Sequence, residues 1–155
     1  MDEPTIEQAT LEDLPQLTDL LIDLFTQEGD FTPDRSKQMR GLRLILEQPN
    51  RGRIFVLRQN GMILGMINLL FTISTAEGGK AALFEDLVVA PEHRKRGIAA
   101  LLLRYVIDQA RAEGVLRLTL LTDMQNERAQ ALYRRLGFVG SPMKPMRLRL
   151  KKGGT

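Results

Sequence analysis

The sequence predicts a mixed α/β fold: one mostly antiparallel central sheet with helices on both faces. Three observations predict it. Apolar residues recur at helical spacing in four separate segments. A hairpin-rich front half contains two strand-like runs joined by Asn60-Gly61. A strand-helix-strand unit follows, from Ala81 to Thr122. Together they give the order β-α-α-β-β-β-α-β-α-β-β, which is not that of a doubly wound parallel sheet.

A short strand is expected over Thr5 to Ala9. Thr10 then caps a helix, with Asp13 three residues on in a capping-box-like position. Leu14, Leu17, Leu21 and Phe25 form its apolar stripe, and the polar stretch Gln27 to Phe31 ends it. Thr32-Pro33 opens a second helix, because proline suits a first helical position; Met39, Leu42, Ile45 and Leu46 are its expected buried stripe.

Arg53 to Gln59 and Met62 to about Ser74 make a hairpin, since Asn60 and Gly61 both tolerate the positive φ of a type I′ turn. Ala76 to Lys80 is a turn, and Ala81 to Ala90 a fourth strand. Gly97 to Glu113 is a helix with Ala99, Leu102, Leu103, Val106 and Ala110 on one face, closed by Gly114. Val115 to Thr122 is a fifth strand, and Asn126 to Leu136 a short helix stopped by Gly137. Phe138-Val139 and Met146 to Leu150 read as two closing strands around the loop Gly140 to Pro145. No repeat or linker divides the 155 residues, so a single domain is expected, with a frayed tail from about Lys151 to Thr155.

Composition narrows the function classes. Apolar residues make up 43%, enough for a folded core. The absence of cysteine removes a disulfide scaffold, a cysteine metal site and a cysteine nucleophile. With one histidine, His93, no zinc site is expected. Met1-Asp2-Glu3-Pro4 shows no leader pattern, and no run reaches the roughly 20 apolar residues of a membrane span, so a cytoplasmic protein is expected. The formal charge of +3 is mild and reads as a solvated surface, except at one local cluster.

That cluster is Val88-Val89-Ala90-Pro91-Glu92-His93-Arg94-Lys95-Arg96-Gly97-Ile98-Ala99. A β-rich run stops at a proline, crosses a basic loop and enters a helix at a glycine. The first helical turn carries unpaired N–H groups and partial positive charge. Three cations immediately before it, and the small Gly97 and Ala99, suit a phosphate or pyrophosphate. The loop is not a P-loop, because Gly78-Gly79-Lys80 is followed by alanine. Taken alone, it reads equally as a solvated basic loop.

Arg94-x-x-Gly97-x-Ala99 resembles the R/Q-x-x-G-x-G/A pyrophosphate loop of the GNAT superfamily of N-acetyltransferases, and Leu83 to His93 resembles the strand leading into it. Asn126 to Phe138 resembles a second motif of that family, N-x-x-A-x-x-L-Y-x-x-L-G-F. The two segments stand in the family's order and spacing. The stretch before about Gly52 agrees only in element order.

The resemblance implies transfer of an acetyl group from acetyl-CoA, as cosubstrate, to a primary amine. It implies that the pantetheine arm lies along the backbone of Leu87, Val88 and Val89 like an added strand; the same residues also suit the core. A bulge in this strand is a family feature, and no glycine marks one here. The pyrophosphate would rest on the N–H groups of Arg94, Lys95, Arg96, Gly97, Ile98 and Ala99. Asn126 would contact the cofactor arm, or serve as a plain N-cap.

Tyr133 would protonate the departing thiolate, though it also fits a core stripe with Ala129, Leu132 and Leu136. An alkyl ammonium, with a pKa near ~10.4, must lose a proton before it attacks. Glu85 is the candidate general base, directly or through a water, or else a surface carboxylate. By period-two alternation Glu85 and Leu87 face one side and Asp86 the other. A backbone N–H near Val88 would polarise the thioester oxygen. No serine stands in a recognisable base arrangement, so direct attack in a ternary complex is expected rather than an acyl-enzyme.

The acceptor is expected between the first two helices, the strand of Glu85 and the loop Gly140 to Pro145. Glu28, Asp30, Asp34 and Glu85 would attract a cationic amine there, or form ordinary acidic surface. A small molecule, a peptide N-terminus and a lysine side chain all fit. Two rivals remain: a non-catalytic acyl-CoA-binding regulatory module, and an RNA-binding protein. The second is disfavoured by dispersed arginines and 5% aromatics, which offer no stacking platform. A homodimer is an expectation of the resemblance alone.

Overall fold

The computed structural model describes residues 3–28 and 31–151. They fall into two compact units, divided between Leu121 and Thr122, and each is described by itself.

The first unit is built on a five-stranded sheet in sequence order. Its strands are β1 (Thr5–Gln8), β2 (Gly52–Gln59), β3 (Met62–Ser74), β4 (Gly79–Val89) and β5 (Leu118–Thr119). β1 to β4 pair antiparallel, and β5 joins β4 in parallel. The parallel pair requires a crossover, which α3 (Ile98–Ala112) provides. The β2–β3 turn has Asn60 at φ 52° and Gly61 at φ 76°, as a type I′ hairpin demands.

Before the hairpin, a 3₁₀ turn (Leu11–Asp13) leads into α1 (Leu14–Gln27), and α2 (Arg35–Leu46) follows. The Thr10 N–H donates to the Asp13 carboxylate at 2.9 Å, so the expected acid does hold the helix start. The second helix begins at Arg35 rather than at Pro33, because Asp34 supplies the cap: its side chain accepts from the Lys37 N–H at 3.2 Å.

Both sheet faces are covered. Leu14, Leu17, Leu21 and Leu42 of α1 and α2 pack with Ile54, Val56, Met66 and Val88. On the other face, α3 packs on β2, β3 and β4 and buries Leu102, Leu103, Val106 and Ala110. The Tyr105 ring meets Phe55 edge-on, with centroids 5.5 Å apart. Leu17, Leu42, Ile54, Leu102 and Val106 retain 0–2% of their exposure. Each such burial stabilises the fold by roughly 1.5–3 kcal/mol.

In the second unit, α4 (Glu127–Arg135) is the regular element among the described residues. Two sequence expectations are corrected at this end of the chain. The fifth strand, expected over Val115 to Thr122, is Leu118–Thr119 alone. Phe138-Val139 and Met146 to Leu150 form no strand. Met146 to Leu150 alternates apolar and basic residues perfectly, but alternation only fits a chain for a sheet edge; it supplies no ladder partner. Pro142 and Pro145, lacking N–H groups, interrupt the stretch between. Of the predicted frayed tail, Lys152 to Thr155 lie outside the described residues.

Candidate active site

Strand β4 carries the main irregularity of the sheet. Asn68 of β3 pairs with Glu85, and Met66 pairs with Val88. Two steps on β3 thus span three on β4, leaving Asp86 and Leu87 opposite Ile67. This is a β-bulge, and Asp86 sits in it at φ 55°. Left-handed backbone favours glycine, but aspartate tolerates it through its short polar side chain. The bulge is therefore formed without a glycine.

The bulge has two consequences. The β4–β5 ladder consists of Ala82–Leu118 and Leu83–Thr119, and among the described residues it goes no further. From Glu85 to Val89 β4 has no β5 partner within this unit, and an unpaired strand edge suits an extended ligand. The bulge also breaks alternation: Glu85 and Asp86 line one cavity, rather than opposite faces as a regular strand would place them.

β4 runs through a 3₁₀ turn (Pro91–His93) into the basic loop. Lys95 lies at φ 65° and Gly97, the N-cap of α3, at φ 78°. A side chain at Gly97 would meet open space, so a ligand can approach the backbone there. Among the described residues, the N–H groups of residues 95–100 have no main-chain acceptor, and the Leu101 N–H donates to the Gly97 carbonyl at 3.1 Å. Unpaired N–H groups at a helix start suit an anion. The loop's cations are arranged unequally. Arg94 donates to the Asp23 carboxylate of α1 at 2.6 Å and to the Val89 carbonyl at 3.3 Å. Arg96 lies 2.8 Å from His93 Nδ1. Lys95 is exposed.

The cavity, of about 260 Å³, lies between α1, α2 and β4. Leu21, Phe25, Leu42 and Ile45 make apolar walls; Asn68, Glu85 and Asp86 line it as well. Asn68, 1% exposed, donates through Nδ2 to Asp86 at 2.6 Å. Its Oδ1 is buried with no hydrogen-bond partner among the described residues. Burial, and then the charges of Glu85 and Glu28, push the Asp86 carboxyl up to about 7, against the Asn68 hydrogen bond. Glu85 itself is exposed. Asp34 is occupied as a helix cap, and Asp30 lies outside the described residues.

Sequence reasoning missed Asp86. The available signal was an acidic pair, Glu85-Asp86, inside the apolar run Leu83 to Val89. Leu87, Val88 and Val89 lie on β4 beyond its pairing with β5, with Val88 buried.

The remaining candidates belong to the second unit. Asn126 caps α4, its Oδ1 accepting from the Ala129 N–H at 3.1 Å, so the plain structural role is present. The Tyr133 ring meets Phe138 edge-on at 6.1 Å, and the Phe138 N–H closes the helix on the Tyr133 carbonyl at 3.0 Å. Tyr133 is half-buried. Among the described residues no cluster of His, Asp or Glu is arranged to hold a metal, and no helix is long and apolar enough to cross a membrane.

Known proteins resemble this chain in sequence and in fold. A relative from Bacillus subtilis (strain 168), the uncharacterized N-acetyltransferase YhfO, is 29% identical over 118 residues, covering 74% of this chain and 78% of its own. A structure of a possible acetyltransferase from Clostridium difficile 630 superposes with a TM-score of 0.87 at 18% identity, covering 97% of this chain and 100% of that one. A predicted acetyltransferase from Clostridium acetobutylicum, solved with acetyl-CoA, gives a TM-score of 0.75 at 18% identity, covering 96% and 97%. The model of the acetyltransferase (GNAT) family matches residues 14–138, which include the bulged strand, the basic loop and α4. The chain belongs to the GNAT acetyltransferase family and is an acyltransferase.

Proposed function

We propose that this protein is an acetyl-CoA-dependent N-acetyltransferase that acetylates a primary amine by direct attack in a ternary complex. One observation carries the reading. An open strand edge, Glu85 to Val89, leads within a few residues to a helix start with free N–H groups and open space at Gly97. An extended polar arm ending in a pyrophosphate fits that succession of main-chain donors and acceptors. The relative solved with acetyl-CoA supports the choice of donor.

Acetyl-CoA would supply the acetyl group already activated as a thioester. Leu87, Val88 and Val89 would hold its arm through their backbone, and a backbone N–H near Val88 would stabilise the developing oxyanion. The N–H groups of Arg94 to Ala99 would hold the pyrophosphate, with Lys95 and Arg96 adding charge. Asn126 is proposed as a further contact to the arm, Tyr133 as the acid for the thiolate, and Glu85 as the general base, directly or through a water. The acceptor would enter the cavity beside Glu85.

Calorimetry with acetyl-CoA and desulfo-CoA tests the reading. Micromolar-range binding is expected, weakened at least 100-fold by Gly97→Glu, which puts a carboxylate and a strained left-handed side chain where the pyrophosphate belongs. A folded wild-type protein that binds neither ligand refutes it.

A further inference from the structure

We propose that Asp86, held by Asn68 on the floor of the cavity, is the seat of the acceptor's ammonium group, and that the acceptor is a small primary amine carrying an apolar arm. The chemical step rests on the acetyltransferase reading; the binding site does not.

The cavity has two chemistries. Leu21, Phe25, Leu42 and Ile45 offer an apolar lining for several methylenes or a ring. The opposite side presents the half-buried Asp86 carboxylate, backed by Asn68, whose Oδ1 is shielded from solvent and lacks a donor among the described residues. An ammonium supplies three donors to that carboxylate. The formal charges facing Asp86 favour a cation. Glu85 lies beside it on β4, Glu28 follows α1, and Lys37 of α2 is the opposing charge among the described cavity residues. A ligand ending in a carboxylate would meet acids, and one without an apolar arm would leave the walls wet.

The pair also suits proton transfer. Here Asp86 takes the proton in place of Glu85: the ammonium N–H bond breaks as an Asp86 O–H bond forms, giving a neutral amine whose lone pair is free to attack. The proton then leaves Asp86 to solvent. Asn68 can serve both states: its N–H₂ donates to the carboxylate, and the amide turned over accepts from the carboxylic O–H. A carboxyl titrating near neutrality compromises well between being ionised and holding a proton.

The test is titration of hexylamine at pH 8, by calorimetry and by the NMR shift of the Asn68 side-chain amide, with and without desulfo-CoA. Ethylamine and 1-hexanol are the controls. Each buried methylene adds roughly fourfold in affinity, so hexylamine, with four more, should bind about 250-fold more tightly than ethylamine. Asp86→Asn should weaken hexylamine at least tenfold, leave 1-hexanol unchanged, and abolish the strengthening of binding from pH 6 to 8. Asparagine tolerates left-handed backbone as aspartate does, so the variant keeps the bulge. Gly41→Leu is a second variant. Gly41 lines the cavity with open space where its side chain would begin, so leucine should exclude hexylamine and spare desulfo-CoA. Equal hexylamine affinity in wild type and Asp86→Asn overturns the proposal, as does wild-type protein that binds desulfo-CoA but no hexylamine. Hexylamine bound through Asp86 by a protein that ignores desulfo-CoA would uphold the seat and refute the acetyltransferase reading.

Discussion

Asp86→Asn should raise the stability of the ligand-free protein at pH 8 and change it little at pH 4. Burial and the Glu85 and Glu28 charges lift the folded-state carboxyl from 3.8 to about 7. Below 3.8 the group is protonated in both folded and unfolded chains. Between 3.8 and about 7 only the folded chain keeps the proton, so ionisation favours unfolding and stability falls as pH rises, by about 1.4 kcal/mol per unit. Above about 7 both states are ionised and the loss is complete. The total is about 4 kcal/mol, a large fraction of the ~5–15 kcal/mol stability of a typical domain. Asparagine is neutral throughout and fits the same backbone. The variant should therefore exceed wild type by about 4 kcal/mol at pH 8, by about 2 at pH 5 and by less than about 1 at pH 4. Urea unfolding followed by circular dichroism at these pH values reads the difference directly. A difference that does not change with pH, or a variant less stable than wild type at pH 8, would refute the electrostatic reasoning.

Three further perturbations bear on the frame around the site. A methyl at Gly65 would lie 3.0 Å from Leu102, 3.1 Å from Ile98 and 3.2 Å from the Val88 carbonyl. Gly65→Ala should therefore cost roughly 1–3 kcal/mol in thermal or urea unfolding, and should weaken acetyl-CoA binding by shifting the start of α3 against β4. Asp13 is buried and accepts from Arg58 Nη1 and Nη2, each at 3.0 Å. Burial raises its pKa, but the Arg58 hydrogen bonds, the Thr10 N–H and the Arg58 charge outweigh it and hold the carboxyl below 3.8. That stabilisation is present above 3.8 and is lost as pH falls through the lower folded value; Asp13→Ala should cost about 2 kcal/mol at pH 7 and less at pH 2. Asn126→Ser keeps a good N-cap, so α4 should survive by circular dichroism while acetyl-CoA binds roughly tenfold more weakly, a factor worth about 1.4 kcal/mol. Unchanged affinity would reduce Asn126 to its capping role.

Local chemistry was legible in the sequence and long-range geometry was not. Asn60-Gly61 specifies its turn because few residues take positive φ twice in succession. The stripes of α1 and α3 read directly because a buried helix face needs apolar residues at fixed spacing. The basic loop was readable because a helix start offers the same N–H groups in any fold. By contrast, Arg94 meets an aspartate 71 residues earlier, a pairing set by how α1 lies on the sheet. The Asp86 bulge depends on β3 as much as on β4, so alternation within β4 misassigned the faces of Glu85 and Asp86. The absent closing strands show the same limit: Met146 to Leu150 carries the pattern of a strand, but pairing belongs to two segments, not one.

The bulge also separates what the sheet requires from what the site requires. Phe84 pairs with Leu69, and Val88 packs among Leu14, Leu17 and Met66 on the face that also carries Glu85. Counted along β4, those facings fit an unbroken strand one residue shorter. Deleting Asp86 would set Leu87 opposite Ile67, restore one-to-one pairing from Gly79 to Val89, and leave every core side chain on its present face. Asp86 is thus a supernumerary residue for the architecture, and its insertion brings a carboxylate to the cavity that an unbroken strand would not place there.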